Sequence, residues 1–303
     1  MSGEIIALVS AACFGLSGAA IAKGAEHGRR GDNGAFLSIL FTAALAGLLW
    51  AAMGEADLGA LDAGPLLLAI GWFVLAGILA TVLGRLAMFR SVELAGAITA
   101  SLFRRLVPVF AGILGFLLLG ETIGLVAAIG MAVIMGSVLA VMRTSLGAAL
   151  GGTAADAAAH RRGQALGAAS AGLYGGAYVT RKLGLMHVAD PAFGAFVGAV
   201  TGIIWYALRA PFSSATRAML NGMIGNTGRW QVLAAASMSL GQTLQFFALA
   251  RADVAAVAVI GALEVFVSIY LAAYVFRTEP PPGLGVTLAA LAACGGVALV
   301  AFG

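Results

Sequence analysis

The chain has 303 residues, of which 61% are hydrophobic and only 10% charged, and its mean hydropathy is +1.02. A water-soluble domain carries about 25% charged residues, so the composition excludes an ordinary soluble enzyme or binding module and points to a polytopic membrane protein. The net charge of +4 comes from 17 Lys and Arg scattered singly or in pairs, which makes no basic stripe and sets nucleic acid aside as a partner.

A bilayer core about 30 Å thick needs about 20 apolar residues per helix. The apolar runs predict ten spans, at about 5–22, 35–53, 65–84, 94–119, 123–142, 164–182, 191–209, 230–250, 254–276 and 283–302. The opening "MSGEIIALVS" has an acid where a signal peptide carries Lys or Arg, so the first span is expected to be retained. On that span Ser10, Phe14 and Gly18 recur every four residues. Nearer span ends stand Arg85, Arg90, Glu93, Arg251 and Asp253, where snorkelling toward headgroups is the expectation, and Arg181 is counted with the connections.

The fourth span contains "SLFRRLVPVF". Arg104 and Arg105 stand about ten residues into it, about 15 Å along its axis and close to the midplane. A charge at that depth costs about 2.5–3.5 kcal/mol on insertion scales unless it meets a partner or a wet cavity. Neighbouring helical residues point about 100° apart, so one arginine is expected to line a cavity while the other finds carbonyls, an acid or an interface. Pro108 cannot donate to the helical ladder and should loosen the backbone beside the pair.

The longest polar interruption, 143–163, divides the chain into 1–142 and 164–303, with five spans on each side. In the second half, Ser170, Tyr174 and Tyr178 form a polar stripe on span six, and Gly194, Gly198 and Gly202 form a packing ridge on span seven. Residues 212–230 suit either the membrane interface or a loop. Gln242 and Gln245 face together on span eight, and Glu264 lies within span nine at nearly the depth of the arginines.

The halves resemble each other. "SAACFG" at 10–15 returns as "SAGLYG" at 170–175, "AMFR" at 87–90 as "ALAR" at 248–251, and Glu121 as Glu279. Five spans is an odd number, so the second copy must enter the membrane in the opposite direction, which is the inverted-repeat plan of secondary transporters. The offsets pair Glu264 with residues 103–106. Three roles follow for it: a counter-ion, a proton carrier, or half of a static ion pair.

With these motifs in hand the chain resembles the EamA-type branch of the drug/metabolite transporter superfamily. The resemblance is carried by "LVPVF" at 106–110 followed by "LLGE" at 118–121, and in the second half by "GALEVF" at 261–266 and "FRTE" at 276–279. It departs where Phe14-Gly15 lacks a tryptophan, where the second copy lacks the counterpart of Pro108, and where Thr278 stands for a closing glycine. The resemblance implies an all-α integral membrane protein of ten transmembrane helices in two inverted repeats, exporting amino acids or similar small metabolites.

No enzyme, cofactor or metal motif is present. His27, His160 and His187 lie at no ligand spacing, and Cys13 and Cys294 read as small apolar residues. The expected substrate-binding set is Arg104, Arg105, Glu264, Tyr174, Tyr178, Gln242, Gln245 and Phe14, with Glu264 as the proton-coupling candidate and Pro108 as the helix break. Expected partners are a small-molecule substrate, membrane lipids, protons and a second copy in a homodimer. The expected location is a bacterial-type inner membrane, with both termini outside the cytoplasm from the Lys and Arg bias of the connections. Alternatives are carriage of hydrophobic cations or lipid-linked substrates, with Glu264 as the binding charge, and a non-transporting scaffold.

Overall fold

A computed structural model describes residues 2–26, 35–54, 62–95, 103–146 and 154–302. His27, Arg29, Arg30 and most of the acidic connection before span three fall outside these residues, as does 147–153 of the central interruption.

Among the described residues the chain is built from helices alone. They run α1 (Gly3–Glu26), α2 (Ala35–Met53), α3 (Ala63–Gly77), α4 (Arg85–Ala95), α5 (Val107–Leu119), α6 (Leu125–Leu146), α7 (Ala154–His187), α8 (Pro191–Arg209), α9 (Ser214–Asn226), α10 (Arg229–Leu249), α11 (Val254–Gly261), α12 (Glu264–Tyr270) and α13 (Leu284–Phe302). A π-helical turn, Ile78–Gly84, joins α3 to α4, and another, Leu271–Val275, follows α12. Seven segments have at least 18 residues and are apolar enough to cross a bilayer; Val107–Leu119 and Leu125–Val141 are shorter apolar helices. Large apolar side chains such as Leu48, Leu67, Phe116, Leu117, Leu125 and Leu291 stand exposed on the outside. A shell of that kind is stable against lipid and not against water, and the chain is a multi-pass membrane protein.

Two features differ from the hydropathy reading. The polar interruption at 143–163 is largely helical, because α6 continues to Leu146 and α7 begins at Ala154. Residues 212–230 are not a plain loop, since they hold the 13-residue α9, started by Ser213, whose hydroxyl accepts from the Thr216 N–H.

The helices pair in a regular way. Helix α1 lies along α10, α7 along α3 and α4, α2 along α8, and α6 along α13; α5 packs on α7 and α11, and α1 packs on α11 and α12. Segments α10 and α11–α12 are 56% buried, against 17% for α13, so α10, α11 and α12 form the middle of the bundle and α13 its edge. Small residues permit the close approaches. Phe73 fills the space left by Gly184 and Gly194, and its ring meets Phe193 edge-on at 6.0 Å and Phe246 at 6.1 Å. The Gly194–Gly198–Gly202 ridge is consumed within the chain, against Phe73, Phe246, Thr81 and Ile39.

Candidate functional site

The centre of the site is set by two broken helices. Pro108 has no N–H for the Arg104 carbonyl, so the helical stretch at Phe103–Arg104 stops, the chain turns through Arg105–Leu106, and it restarts as α5 with Pro108 in its first turn, where the missing donor costs nothing. The turn is held by Leu106 N–H to the Phe103 carbonyl (2.9 Å) and Phe110 N–H to the Leu106 carbonyl (3.1 Å).

Across the bundle, α11 and α12 are separated by a turn at Ala262–Leu263. There Ala262, Leu263 and Phe266 each donate to the carbonyl three residues back, at 3.0 Å. Glu264 opens α12 directly after this turn, where the positive end of the helix dipole favours a carboxylate. The second interruption has no proline.

These turns bring three charges together. Arg105 Nη1 donates to Glu264 Oε1 at 3.1 Å, and Arg104 Nη2 stands 3.8 Å from the same oxygen. The two arginines differ in surroundings. The Arg105 side chain is 10% accessible and the Glu264 side chain 18%, so these form a largely buried pair, whereas Arg104 is 42% accessible. Tyr174 and Tyr178 lie within electrostatic reach of Arg104, whose side chain keeps the larger accessible surface of the two arginines. One carboxylate serves two guanidiniums, and the cluster carries an excess positive charge.

Tyr178 extends the network. Its hydroxyl accepts from Gln245 Nε2 at 2.5 Å, and Gln245 Oε1 accepts from Arg181 Nη1. The same hydroxyl faces the second helix break, since a Cβ at Gly261 would lie 3.4 Å from it. Tyr174 packs against Gly84, whose carbonyl accepts from the Ser170 hydroxyl at 2.7 Å. On the other side of the bundle Phe14 packs against Gly241, whose carbonyl accepts from Ser10 at 2.7 Å.

Of the residues expected at the site, Arg104, Arg105, Glu264, Tyr174, Tyr178 and Gln245 form one neighbourhood. Phe14 packs on α10 at Gly241, and Gln242 lines a separate small cavity. Two residues were missed, Arg181 and Arg85. Helix α7 runs on to His187, so Arg181 is interior, at 4% exposure, and does not reach a headgroup. It follows Tyr178 by three residues and continues the stripe begun by Ser170 and Tyr174, the one signal that could have found it. Arg85 likewise turns inward, with Nη1 fully buried.

A larger cavity of about 680 Å³ lies among α5, α6 and α11. Its walls include Val109, Ile113, Phe116 and Leu117, which are also on the exposed apolar surface. It is a mainly apolar groove that opens on the outside, with Pro108 and the Glu121 carboxylate in its wall and without Arg104, Arg105 or Glu264. Among the described residues no group of three or more His, Cys, Asp or Glu could hold a metal ion.

Residues 1–143 match the EamA-like transporter family. No curated protein matches the chain. Seventeen chains of solved structures match. One of them, described only as "Crystal structure of protein", aligns over 98% of this chain and 94% of its own at 17% identity, with a TM-score of 0.63. At that identity the likeness shows a shared fold.

Proposed function

From the match of residues 1–143 to the EamA-like transporter family and from the site geometry, we propose that the chain is a secondary transporter of the drug/metabolite transporter superfamily that exports small metabolites carrying an anionic group, such as amino acids or organic anions, by alternating access. The carrying observation is the inequality of the arginines: Glu264 neutralises buried Arg105, while the Arg104 side chain stays 42% accessible, 3.8 Å from the same carboxylate and within electrostatic reach of Tyr174 and Tyr178. A guanidinium fork suits a carboxylate or phosphate, and a solute carboxylate there completes the charge balance.

The proposal includes two inverted repeats, 1–142 and 164–303, joined through 143–163. Recurring contacts support it. The hydrogen bond from Ser10 to the Gly241 carbonyl has its counterpart in that from Ser170 to the Gly84 carbonyl. Phe14 against Gly241 is repeated by Tyr174 against Gly84, and Gly3 against Ala252 by Gly163 against Ala95. The helix breaks at Arg105–Leu106 and Ala262–Leu263 fall at matching places. The pairing of α1 with α10 mirrors that of α7 with α3 and α4, as an exchange of the two halves requires.

Alternating access then amounts to rocking one repeat against the other around the charges. A bacterial-type inner membrane, both termini outside the cytoplasm, proton coupling through Glu264 and a homodimer belong to the same reading. Cation carriage would need Glu264 free, and two guanidiniums share its one oxygen.

The test is thermal unfolding of purified protein against amino acids, organic acids, phosphorylated metabolites and lipophilic cations, for wild type, Arg104→Gln and Arg105→Gln. A ligand at 100 times its Kd adds about 2.7 kcal/mol of stability. Anion stabilisation that vanishes in Arg104→Gln supports the proposal; stabilisation by cations, or by anions equally in all three proteins, rejects it.

A further inference from the structure

A second positive site lies on the far side of Gln245 from the charge cluster. Helices α2, α3, α4, α7, α8 and α10 and the π-helical turn after α3 enclose a small cavity, with Arg85 and Arg181 in its wall together with Ser38, Thr42, Thr81 and Gln242. No Asp or Glu lines it.

Both guanidiniums are incompletely satisfied. Arg181 is 4% exposed, and its Nε is buried without a hydrogen-bond partner. Nη1 donates to Gln245, and the guanidinium lies 4.9 Å from the Phe246 ring centre and 5.8 Å from that of Tyr178. Ring faces and an amide oxygen solvate part of a cation but carry no neutralising charge. The groups within electrostatic reach of it are Tyr178 and Tyr174, both neutral phenols at physiological pH. Arg85 Nη1 is likewise buried without a partner. A buried charge is normally paired, and here two cations share one cavity with no acid.

The space open to water centres is about 40 Å³. One water needs about 10–15 Å³ by that measure, so the cavity has room for a halide or a carboxylate head and for little more. We propose that Arg181 and Arg85 together bind a small anion in this cavity, at a site separate from Arg104 and Glu264. The hydroxyls of Thr42 and Thr81 and the Gln242 amide supply further polar lining. Two sources share this chemistry: a free inorganic ion such as chloride, and the carboxylate of a small solute.

The experiment melts purified full-length protein in a zwitterionic buffer whose ionic strength is held by a bulky sulfonate, while chloride or acetate is titrated in. Wild type, Arg104→Gln, Arg85→Gln and Arg181→Met are compared. The expected result is a saturable rise in melting temperature for wild type and Arg104→Gln. In Arg85→Gln the half-saturating concentration rises by about tenfold, the scale of one lost charge-assisted hydrogen bond, and in Arg181→Met the response is gone. Half-buried Arg85 tolerates replacement, so its variant carries the test if Arg181→Met does not fold. A response to chloride identifies a free inorganic ion, and a response to acetate without one to chloride identifies a carboxylate. Absence of any saturable rise in wild type, a rise unchanged in Arg85→Gln, or a rise lost in Arg104→Gln overturns the inference.

Discussion

Replacing Glu264 by Gln removes the one carboxylate that both central arginines share, and the arginines should respond unequally. Arg105 is 10% accessible and gives up a 3.1 Å charge-assisted hydrogen bond. Removing one partner of a buried pair costs about 3–5 kcal/mol; with Glu264 itself 18% accessible, the lower end applies, about 3 kcal/mol. Arg104 stands 3.8 Å away, beyond hydrogen-bond distance, and its side chain is 42% accessible, so its share of the loss is below about 1 kcal/mol. Arg105→Gln should cost about 1–2 kcal/mol, because Glu264 keeps Arg104 nearby, and Arg104→Gln less than about 1 kcal/mol. Combining Arg105→Gln with Glu264→Gln removes both buried charges, so the double variant should be more stable than the sum of the single losses by at least about 1.5 kcal/mol. Detergent-driven unfolding in mixed micelles, followed by tryptophan fluorescence, measures wild type and the four variants. Additive losses, or Arg104→Gln costing as much as Arg105→Gln, would refute the reasoning.

Further predictions concern the framework around the site. Gly120 closes α5 in the left-handed region (φ 68°), and its counterpart after α12 is Arg277 at φ 54°. Arg277→Gly should therefore raise stability by about 1 kcal/mol in the same unfolding assay, and no gain would show that the turn is unstrained. Glu121, in the connection after α5, accepts from the Val254 N–H at 2.9 and 3.0 Å, while burial raises its carboxyl above the usual carboxylate range. A raised folded value means that the stability contributed by the proton is complete below the unfolded value and is lost as pH rises through the folded one. Wild type should lose stability relative to Glu121→Gln from about pH 4 upward; parallel curves would contradict this. A Cβ at Gly130 would stand 2.6 Å from the Gly296 carbonyl, whereas Gly136 has nothing within 4 Å. Gly130→Ala should cost about 1–3 kcal/mol by forcing α6 and α13 apart, and Gly136→Ala should be neutral or stabilising by up to about 1 kcal/mol; equal effects would refute the packing argument.

Much of the site was legible because charge in an apolar run is costly and therefore conspicuous. Arg104, Arg105 and Glu264 stood out on those grounds, and the repeat offset set them at matching depth before any contact was known. The break at Arg105–Leu106 was foreshadowed by Pro108. The break at Ala262–Leu263 was not, since its three-residue hydrogen bonds arise in a stretch with no proline to announce them. Arg181 and Arg85 were misread because hydropathy marks where polar residues begin and not where a helix ends. Helix α7 runs past Arg181 to His187, and the π-helical turn Ile78–Gly84 carries the chain on into α4. Thr278 aligned with the closing Gly120 in sequence, yet the left-handed residue is Arg277, because the offset between the halves drifts from one span to the next.

The central claim is that an anionic solute crosses the membrane by binding at Arg104. Its most direct test is flux through proteoliposomes loaded with a mixture of amino acids and organic anions, the solutes that leave being identified by mass spectrometry, for wild type and for Arg104→Gln shown to be folded. The account predicts that wild type releases one or more anionic solutes faster than empty vesicles and that Arg104→Gln does not. Release of the same solutes at the same rate by both proteins, or of cations alone, would contradict it.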